Sequence, residues 1–219
     1  MNAAIRRLWA RWRPLLGFSG SNDYWKDRYR LGGDSGAGSG GESARYKAEV
    51  LNAFVSRHQI RTVVEFGCGD GRQLQLAQYP DYTGYDISAE AIERCRALFR
   101  DDSSKRFGLL SDYDGSRADL ALSLDVLFHL VEDSVYFDYL QRLFSAGSRY
   151  VVIYSSDTDA APRTLPHVRH RPVSRDVAAL VAQDFERIET DLPGAHRVQS
   201  EEPPMVFLFY RRSASATAG

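Results

Sequence analysis

The sequence has little cysteine, no long apolar run and no excess of one charge. Its 219 residues include two cysteines, Cys68 and Cys95. Two are too few for a disulfide framework, so we expect a reducing, cytoplasmic compartment. No apolar run reaches the ~20 residues that a membrane span needs. The formal net charge of -1 provides no basic field, so we expect no nucleic-acid partner.

The N-terminal segment is the exception to this balance. Residues 1–18 contain four arginines and no acidic residue. On a helical wheel the apolar side chains share one face and the arginines the other, which suits a helix lying in a membrane interface. A helix that packs on its own domain or on a partner, shortened by Pro14, is the simpler interpretation. We predict an amphipathic helix and keep a peripheral membrane contact as a separate hypothesis.

Strand and helix patterns alternate through the rest of the chain. A helix with an apolar stripe is predicted over 42–59, and a second helix is predicted to start at "GRQLQLAQ". Short strands are predicted at "RTVVEFG", "YTGYDIS", "KRFGLL", "ADLALSL", "RYVVIYSS", "RIETDL" and "PMVFLFYRR". This alternation predicts an α/β protein with a doubly wound sheet, whose ligand lies beyond the carboxyl ends of the strands.

A glycine cluster, "VVEFGCGDG", follows the first predicted strand. Glycines at 67, 69 and 71 let the backbone turn tightly and approach a ligand closely. A dinucleotide fingerprint needs G-x-G-x-x-G, and here the third glycine is one place early, so the loop suits a pyrophosphate poorly. Asp86 ends the next strand, where a carboxylate can accept hydrogen bonds from both hydroxyls of a ribose.

Together, "VEFGCGDG" and "YDIS" resemble the class I S-adenosylmethionine-dependent methyltransferases, over about residues 42–156. The resemblance implies a seven-stranded Rossmann-like sheet of order 3-2-1-4-5-7-6 with the last strand antiparallel. It also implies S-adenosylmethionine as the cofactor. The residues that it assigns to the cofactor are Glu65, Gly67, Gly69, Asp86, Ile87 and Leu124, with Asp112 and Tyr113 beside the adenine.

Methyl transfer to a hydroxyl needs a group that removes a proton. His129 and Asp125 in "SLDVLFHL" are the catalytic candidates, since both come just after the fourth predicted strand. Histidine suits proton abstraction near neutral pH, and Asp125 either does the same or positions the acceptor. No carboxylates stand at a diagnostic metal spacing, so no metal is predicted.

The segment "LPHVRHRPVSRD" concentrates basic side chains between the fifth strand and its helix. Arginines recognise carboxylates and phosphates through forked donors. His167, Arg169, His170 and Arg171 are therefore candidates for binding an anionic acceptor. The alternative is a solvated basic loop in which one arginine pairs inside the protein.

A second glycine-rich segment, "LGGDSGAGSGGES", precedes the first predicted helix of the domain. It has no lysine and follows no core strand, so it is not a phosphate loop. With "NDYWKDRYR" before it, the segment resembles the lead segment of a bacterial subgroup of these methyltransferases. That resemblance implies a mobile cap over the methionine end of the cofactor, against the alternative of a plain linker. The cap residues are Tyr24, Trp25, Tyr29, Arg30, Ser35, Gly36 and Gly38.

The predicted organisation is a helix and cap in 1–41, a methyltransferase domain in 42–212 and a disordered tail in 213–219. The predicted function is methyl transfer to oxygen or nitrogen of a small molecule or glycan, in which an anionic acceptor is one interpretation. Two alternatives stay open: a Rossmann-type NAD(P) oxidoreductase and a non-catalytic module that binds cofactor and docks a partner.

Overall fold

A computed structural model describes residues 18–160, 165–181, 184–192, 195 and 203–213. The predictions for residues 1–17 and for 214–219 lie outside the described residues. Among the helices that are described, none has the length and apolarity to cross a bilayer. The strands are β1 (Thr62–Phe66), β2 (Asp81–Asp86), β3 (Lys105–Leu109), β4 (Ala118–Leu124), β5 (Gly147–Ser156), β6 (Phe185–Ile188) and β7 (Met205–Arg212). The helices are α1 (Ser21–Arg30), α2 (Gly41–Arg57), α3 (Ala89–Leu98), α4 (Asp133–Ala146) and α5 (Val173–Val181).

The seven strands form one sheet in the order β3-β2-β1-β4-β5-β7-β6, which confirms the predicted topology. Strands β1 to β5 pair in parallel, and β7 runs antiparallel to both β5 and β6. Because β2 and β4 flank β1, the carboxyl ends of these three strands lie side by side. The order along the sheet reverses at β1, so this edge is the switch point where such sheets bind ligands.

Both faces of the sheet are covered, and neighbouring residues of one strand therefore pack on opposite sides. Val63 packs in a cluster with side chains of α2 and α3, whereas Val64 packs with side chains of α4 and α5. Period-two alternation of buried residues on both faces explains why the central strands read as continuous apolar runs.

The prediction of a helix after the glycine cluster is wrong. The structure has only a 3₁₀ turn, Leu74–Leu76, in that connection. Helix α2 already covers this face of the sheet and holds the connection through side-chain hydrogen bonds. Gln73 donates to the Ala44 carbonyl at 3.0 Å, and Asn52 donates to the Leu76 carbonyl at 3.0 Å. The sixth strand also begins earlier than "RIETDL", at Phe185.

Candidate active site

The carboxyl ends of β1, β2 and β4 open into a cavity of about 280 Å³. The loop after β1 forms its floor, and Gly67 and Gly69 adopt φ values of 80° and 60°. At Gly67 a Cβ atom would lie 2.5 Å from Cγ2 of Val126, and at Gly69 it would overlap the Ser35 hydroxyl. Glycine is therefore required at both positions, by the backbone conformation and by close neighbours.

Asp86 ends β2 and lines the cavity with Ile87. Its side chain is buried, and the Gly69 N–H donates to Oδ2 at 3.0 Å while the Ser88 N–H donates to Oδ1 at 2.9 Å. Burial raises the pKa of Asp86, and these backbone donors oppose the shift. Each carboxylate oxygen keeps acceptor capacity, so the group can still receive hydroxyl donors from a ligand.

Glu65, in β1, is a second buried carboxyl group in the cavity wall. The Tyr82 hydroxyl donates to its Oε2 at 2.6 Å. Burial raises the pKa of Glu65 to about 7, although Tyr82 and the nearby Lys47 cation both oppose the shift. The charge of this group therefore changes near neutral pH.

Lys47 is a buried cation that also lines the cavity, and its Nζ forms an ion pair with Oδ2 of Asp125. The sequence analysis did not predict this residue as part of the site. The sequence did indicate that Lys47 is buried, because it lies three residues before Val50 and four before Leu51, on the apolar stripe of α2. A charged side chain in such a stripe needs a partner inside the protein.

His129 lies in the 3₁₀ turn Leu127–His129, just after β4. Nδ1 of the ring donates a hydrogen bond to the His167 carbonyl at 3.1 Å. The neutral ring thus carries its proton on Nδ1 and keeps a lone pair on Nε2. Burial lowers the pKa of His129 to about 4. Trp25 packs edge-to-face on the ring at 4.8 Å and completes this wall of the cavity.

The glycine-rich segment before α2 packs directly on the loop after β1. The Ser35 hydroxyl donates to Oδ1 of Asp70 at 2.7 Å and accepts from the Asp70 N–H at 3.0 Å. The Tyr29 hydroxyl donates to the same Ser35 oxygen at 2.9 Å. Tyr29 and Ser35 both line the cavity, as predicted for the cap.

Arginines fasten the outer side of this segment. Arg94, in α3, donates to the carbonyls of Gly33 at 2.6 Å and Tyr29 at 3.0 Å. Asp34 pairs with Arg28 at 3.3 Å and with Arg72 at 3.0 Å. The segment is therefore joined to the domain by side chains, which a plain linker does not require. That it orders when a cofactor binds stays a prediction.

Several predicted cofactor residues lie outside the cavity lining. Arg30 is exposed and pairs with Asp27, so it does not point to a ligand. Asp112 is exposed, and the Tyr113 hydroxyl donates to the Ser116 carbonyl at 2.7 Å. In that region Leu110 lines the cavity instead. Tyr24, Gly36 and Gly38 belong to the cap but do not line the cavity either.

The basic loop after β5 is built into the protein rather than aimed at the cavity. Arg171 is buried, and it pairs with Asp133 at 2.6 Å and donates to the Val131 carbonyl at 3.0 Å. Arg169 donates to the same two partners, at 2.8 Å and 3.0 Å. Two arginines thus pair inside the protein, where the sequence analysis allowed for one.

The two histidines of this loop are also occupied. His167 stacks on Tyr24 with ring centroids 4.1 Å apart, and Nδ1 of His170 lies 2.8 Å from the Ser156 hydroxyl. None of the four predicted acceptor-binding residues lines the cavity. His167 reaches the site indirectly, because its carbonyl accepts a hydrogen bond from His129 and its ring stacks on the His129 ring with centroids 5.8 Å apart.

One face of α4 lines the cavity and was missed by the sequence analysis. Val135, Asp138, Tyr139 and Arg142 stand at intervals of three and four residues, the spacing of one helical face. The sequence did not indicate this role. An amphipathic helix face that lines a cavity has the same residue pattern as one that packs in the core, and only the position of α4 on the sheet distinguishes the two.

Comparisons with known proteins agree with this geometry. A family described as "Methyltransferase domain" matches residues 29–189. Magnesium protoporphyrin IX methyltransferase (ChlM) from Synechocystis PCC 6803, solved with SAH, is 19% identical, with a TM-score of 0.62 over 88% of this chain and 98% of that chain. The N-methyltransferase NodS from Bradyrhizobium japonicum WM9, solved with SAH, is 17% identical, with a TM-score of 0.63 over 89% and 99%. Similarity at these identities shows the shared fold. No curated protein matches the chain.

Proposed function

The chain belongs to the methyltransferase-domain family, and we propose that it transfers the methyl group of S-adenosylmethionine to an oxygen or nitrogen atom of a small molecule or glycan. The observation that carries the proposal is the cavity itself. It brings the glycine loop, Asp86 and His129 to one edge of the sheet. The family match favours this function over the NAD(P) oxidoreductase, which the early third glycine had already disfavoured.

The residues present fit the cofactor. Gly67 and Gly69 leave room for a ligand to approach the backbone, and the buried Asp86 offers carboxylate oxygens to ribose hydroxyls. Ile87 provides an apolar contact beside them, and Glu65 provides a negative charge for an ammonium group. ChlM and NodS, which share this fold, were each solved with SAH.

When bound, S-adenosylmethionine supplies an electrophilic methyl group. The protein's own contribution is to hold the acceptor in line and to take up its proton. We assign that role to Nε2 of His129, and the hydrogen bond from Nδ1 to the His167 carbonyl supports it, since this bond fixes the ring and holds the Nδ1 proton. Trp25 and the cap close this side of the cavity, which limits the access of water to the reacting groups.

The basic loop does not support the prediction of an anionic acceptor. Arg169 and Arg171, on which that prediction depended, bind Asp133 and backbone carbonyls instead. A peripheral membrane contact of residues 1–18 also stays a separate hypothesis. Liposome co-sedimentation of the full chain and of a chain lacking those residues tests it.

Calorimetric titration with S-adenosylmethionine tests the cofactor, followed by a screen with methyl-labelled cofactor over sugars, amines and phosphorylated metabolites. We expect wild-type binding, a loss of about 100-fold in affinity for Asp86→Ala, and no change for Asp112→Ala. A buried carboxylate that receives ligand donors accounts for an effect of this size. The matched control removes the exposed carboxylate that follows the next strand. No wild-type binding, or equal binding by Asp86→Ala, would contradict the proposal.

A further inference from the structure

The pair formed by Lys47 and Asp125 has no role in the mechanism so far. Lys47 is 1% exposed and lies on the apolar face of α2, where its ammonium group is also 5.4 Å from the centre of the Tyr154 ring. Asp125 follows the last residue of β4. Both side chains line the cavity. The pair therefore joins the helix before β1 to the strand end beside it.

Asp125 is held in an unusual backbone conformation. Its φ is 59°, in the left-handed region, and its N–H donates to the Tyr154 carbonyl at 3.0 Å. Aspartate tolerates this region better than most residues, but the conformation still costs free energy and persists only where the surroundings fix it. Such outliers concentrate at functional sites. Here this conformation directs the Asp125 carboxylate towards the cavity, at the end of β4.

The two carboxylate oxygens of Asp125 have different surroundings. Oδ2 pairs with Lys47, and a Cβ at Gly38 of the cap would lie 2.8 Å from it. Oδ1 accepts no hydrogen bond within the described part of the chain. The charged groups that face the carboxylate are Lys47 from α2 and Glu65 from β1. Lys47 thus binds one oxygen and leaves the other to a ligand.

Stability alone does not account for this pair. Replacing a buried ion pair by apolar side chains of similar volume is often neutral or stabilising, so the pair is a poor means of holding α2 on the sheet. It also opens on the cavity, beside the turn that carries His129. The location is where an acceptor meets a cofactor lying over the ends of β1 and β2.

We propose that Lys47 is a positioning residue, which binds Oδ2 of Asp125 and directs its Oδ1 to the point of methyl transfer, where it accepts a hydrogen bond from the acceptor's N–H or O–H. This inference rests on the proposed function. Lys47 itself does not touch the reacting atoms. It acts through the carboxylate, in the way that a second partner orients a catalytic side chain.

Two cofactor analogues test this without knowledge of the acceptor. Sinefungin carries a protonated amine where the methyl group of the cofactor stands, whereas SAH carries nothing there. The ratio of their affinities, measured by calorimetry near pH 8, reports the charge at the transfer point. Because the two ligands share their amino-acid end, the ionisation of Glu65 affects both and largely cancels in the ratio.

We expect the wild type to prefer sinefungin by about tenfold, the size of one charge-assisted hydrogen bond. Asp125→Asn loses that preference. Lys47→Met loses about fivefold or more of it, because Oδ2 of Asp125 no longer has the partner that directs Oδ1 to the transfer point. Lys47→Arg keeps the wild-type ratio.

Lys105→Met is the matched control for loss of a buried lysine. Its Nζ donates to the Tyr79 carbonyl at 2.9 Å and its side chain is 8% exposed, at the start of β3 and outside the cavity lining. Its affinity ratio should equal that of the wild type. A wild-type ratio in Lys47→Met, or a wild type without any preference, would overturn the inference. Failure of the wild type to bind either analogue would remove the proposed function as well.

Discussion

The two halves of the cavity are assembled in different ways. The proposed cofactor half comes from one short stretch, the strand end and loop from Glu65 to Gly69, together with Asp86 and Ile87 after the next strand. The other half gathers Trp25 from α1, Lys47 from α2, Asp125 from the end of β4 and one face of α4. The first half is a local strand–loop–strand unit, and the second exists only once four distant elements have packed together.

The halves also differ in their chemistry. The cofactor half combines exposed backbone at glycines with two buried carboxyl groups, Glu65 and Asp86. The acceptor half holds a neutral imidazole at His129 and an ion pair between Lys47 and Asp125. The proposed function therefore separates binding and reaction along one cavity, and variants in the two halves should give different kinetic signatures.

The largest difference between an effect on kcat and an effect on SAH affinity is expected for His129→Asn. Loss of a positioned base lowers a rate by about 100-fold or more, and we expect such a fall in kcat with the acceptor that the screen identifies. Affinity for SAH should change by less than about twofold, because asparagine preserves a donor to the His167 carbonyl. His170→Asn, outside the cavity lining, is the control and should keep wild-type kcat. A fall in SAH affinity that matches the fall in kcat would contradict the separation of cofactor binding from reaction.

The wild-type rate should also be insensitive to acid over a wide range. Because burial lowers the pKa of His129 to about 4, the ring is neutral and able to accept a proton at any higher pH. We expect kcat to fall only as the pH approaches 4. An acid limb centred near the ordinary histidine value of ~6.5 would contradict the assignment of the ring as buried and neutral.

Gly69→Ala should affect the cofactor half selectively. A methyl group here overlaps the Ser35 hydroxyl and forces an unfavourable φ, which displaces both the cap and the N–H that binds Asp86. We expect SAH affinity to fall by about 30-fold, the loss of one hydrogen bond to a charged group. Gly115→Ala shares a positive φ but has open space around it. It should cost about 1 kcal/mol of stability and leave the affinity unchanged, as calorimetry and thermal unfolding can show.

The pH dependence of cofactor binding should identify Glu65. Its pKa of about 7 means that the carboxyl group gains its charge as pH rises through neutrality. We expect SAH affinity to increase by about tenfold between pH 6 and 8, because the ionised form attracts the ammonium group of the ligand. Glu65→Gln should bind with an affinity that is flat over this range. An equal increase in both proteins would assign the titration to another group.

The smallest effect on the reaction is expected from the basic loop. Arg169→Ala should change the KM for the acceptor by less than about twofold, since its guanidinium is engaged with Asp133 and the Val131 carbonyl. Arg171→Met should instead lower the free energy of unfolding by about 2 kcal/mol, because the Leu130 carbonyl loses this donor and the Val131 carbonyl keeps only Arg169. A large rise in KM for Arg169→Ala would show that this loop also contributes to binding of the acceptor.

The sequence was informative wherever function depends on short-range spacing. Gly67, Gly69 and Asp86 were predicted together because a tight turn and the next strand end are separated by a fixed length of chain. The sheet order was also predicted correctly. The prediction failed for Arg30 and Arg171, where a charged side chain has several partners within reach and only packing selects one of them.

The sequence by itself determined the alternation of strands and helices and the glycine loop, because each depends on residue type at regular intervals along the chain. The family and the sheet order followed from the resemblance of "VEFGCGDG" and "YDIS" to known methyltransferases, and the family match and the structure confirmed them. The tertiary structure alone decided which side chains face the cavity across the sheet. Lys47 and Asp125 are 78 residues apart, and their contact follows from the packing of α2 beside the end of β4. A buried charge must find its partner wherever the fold brings one, and no local pattern encodes that distance.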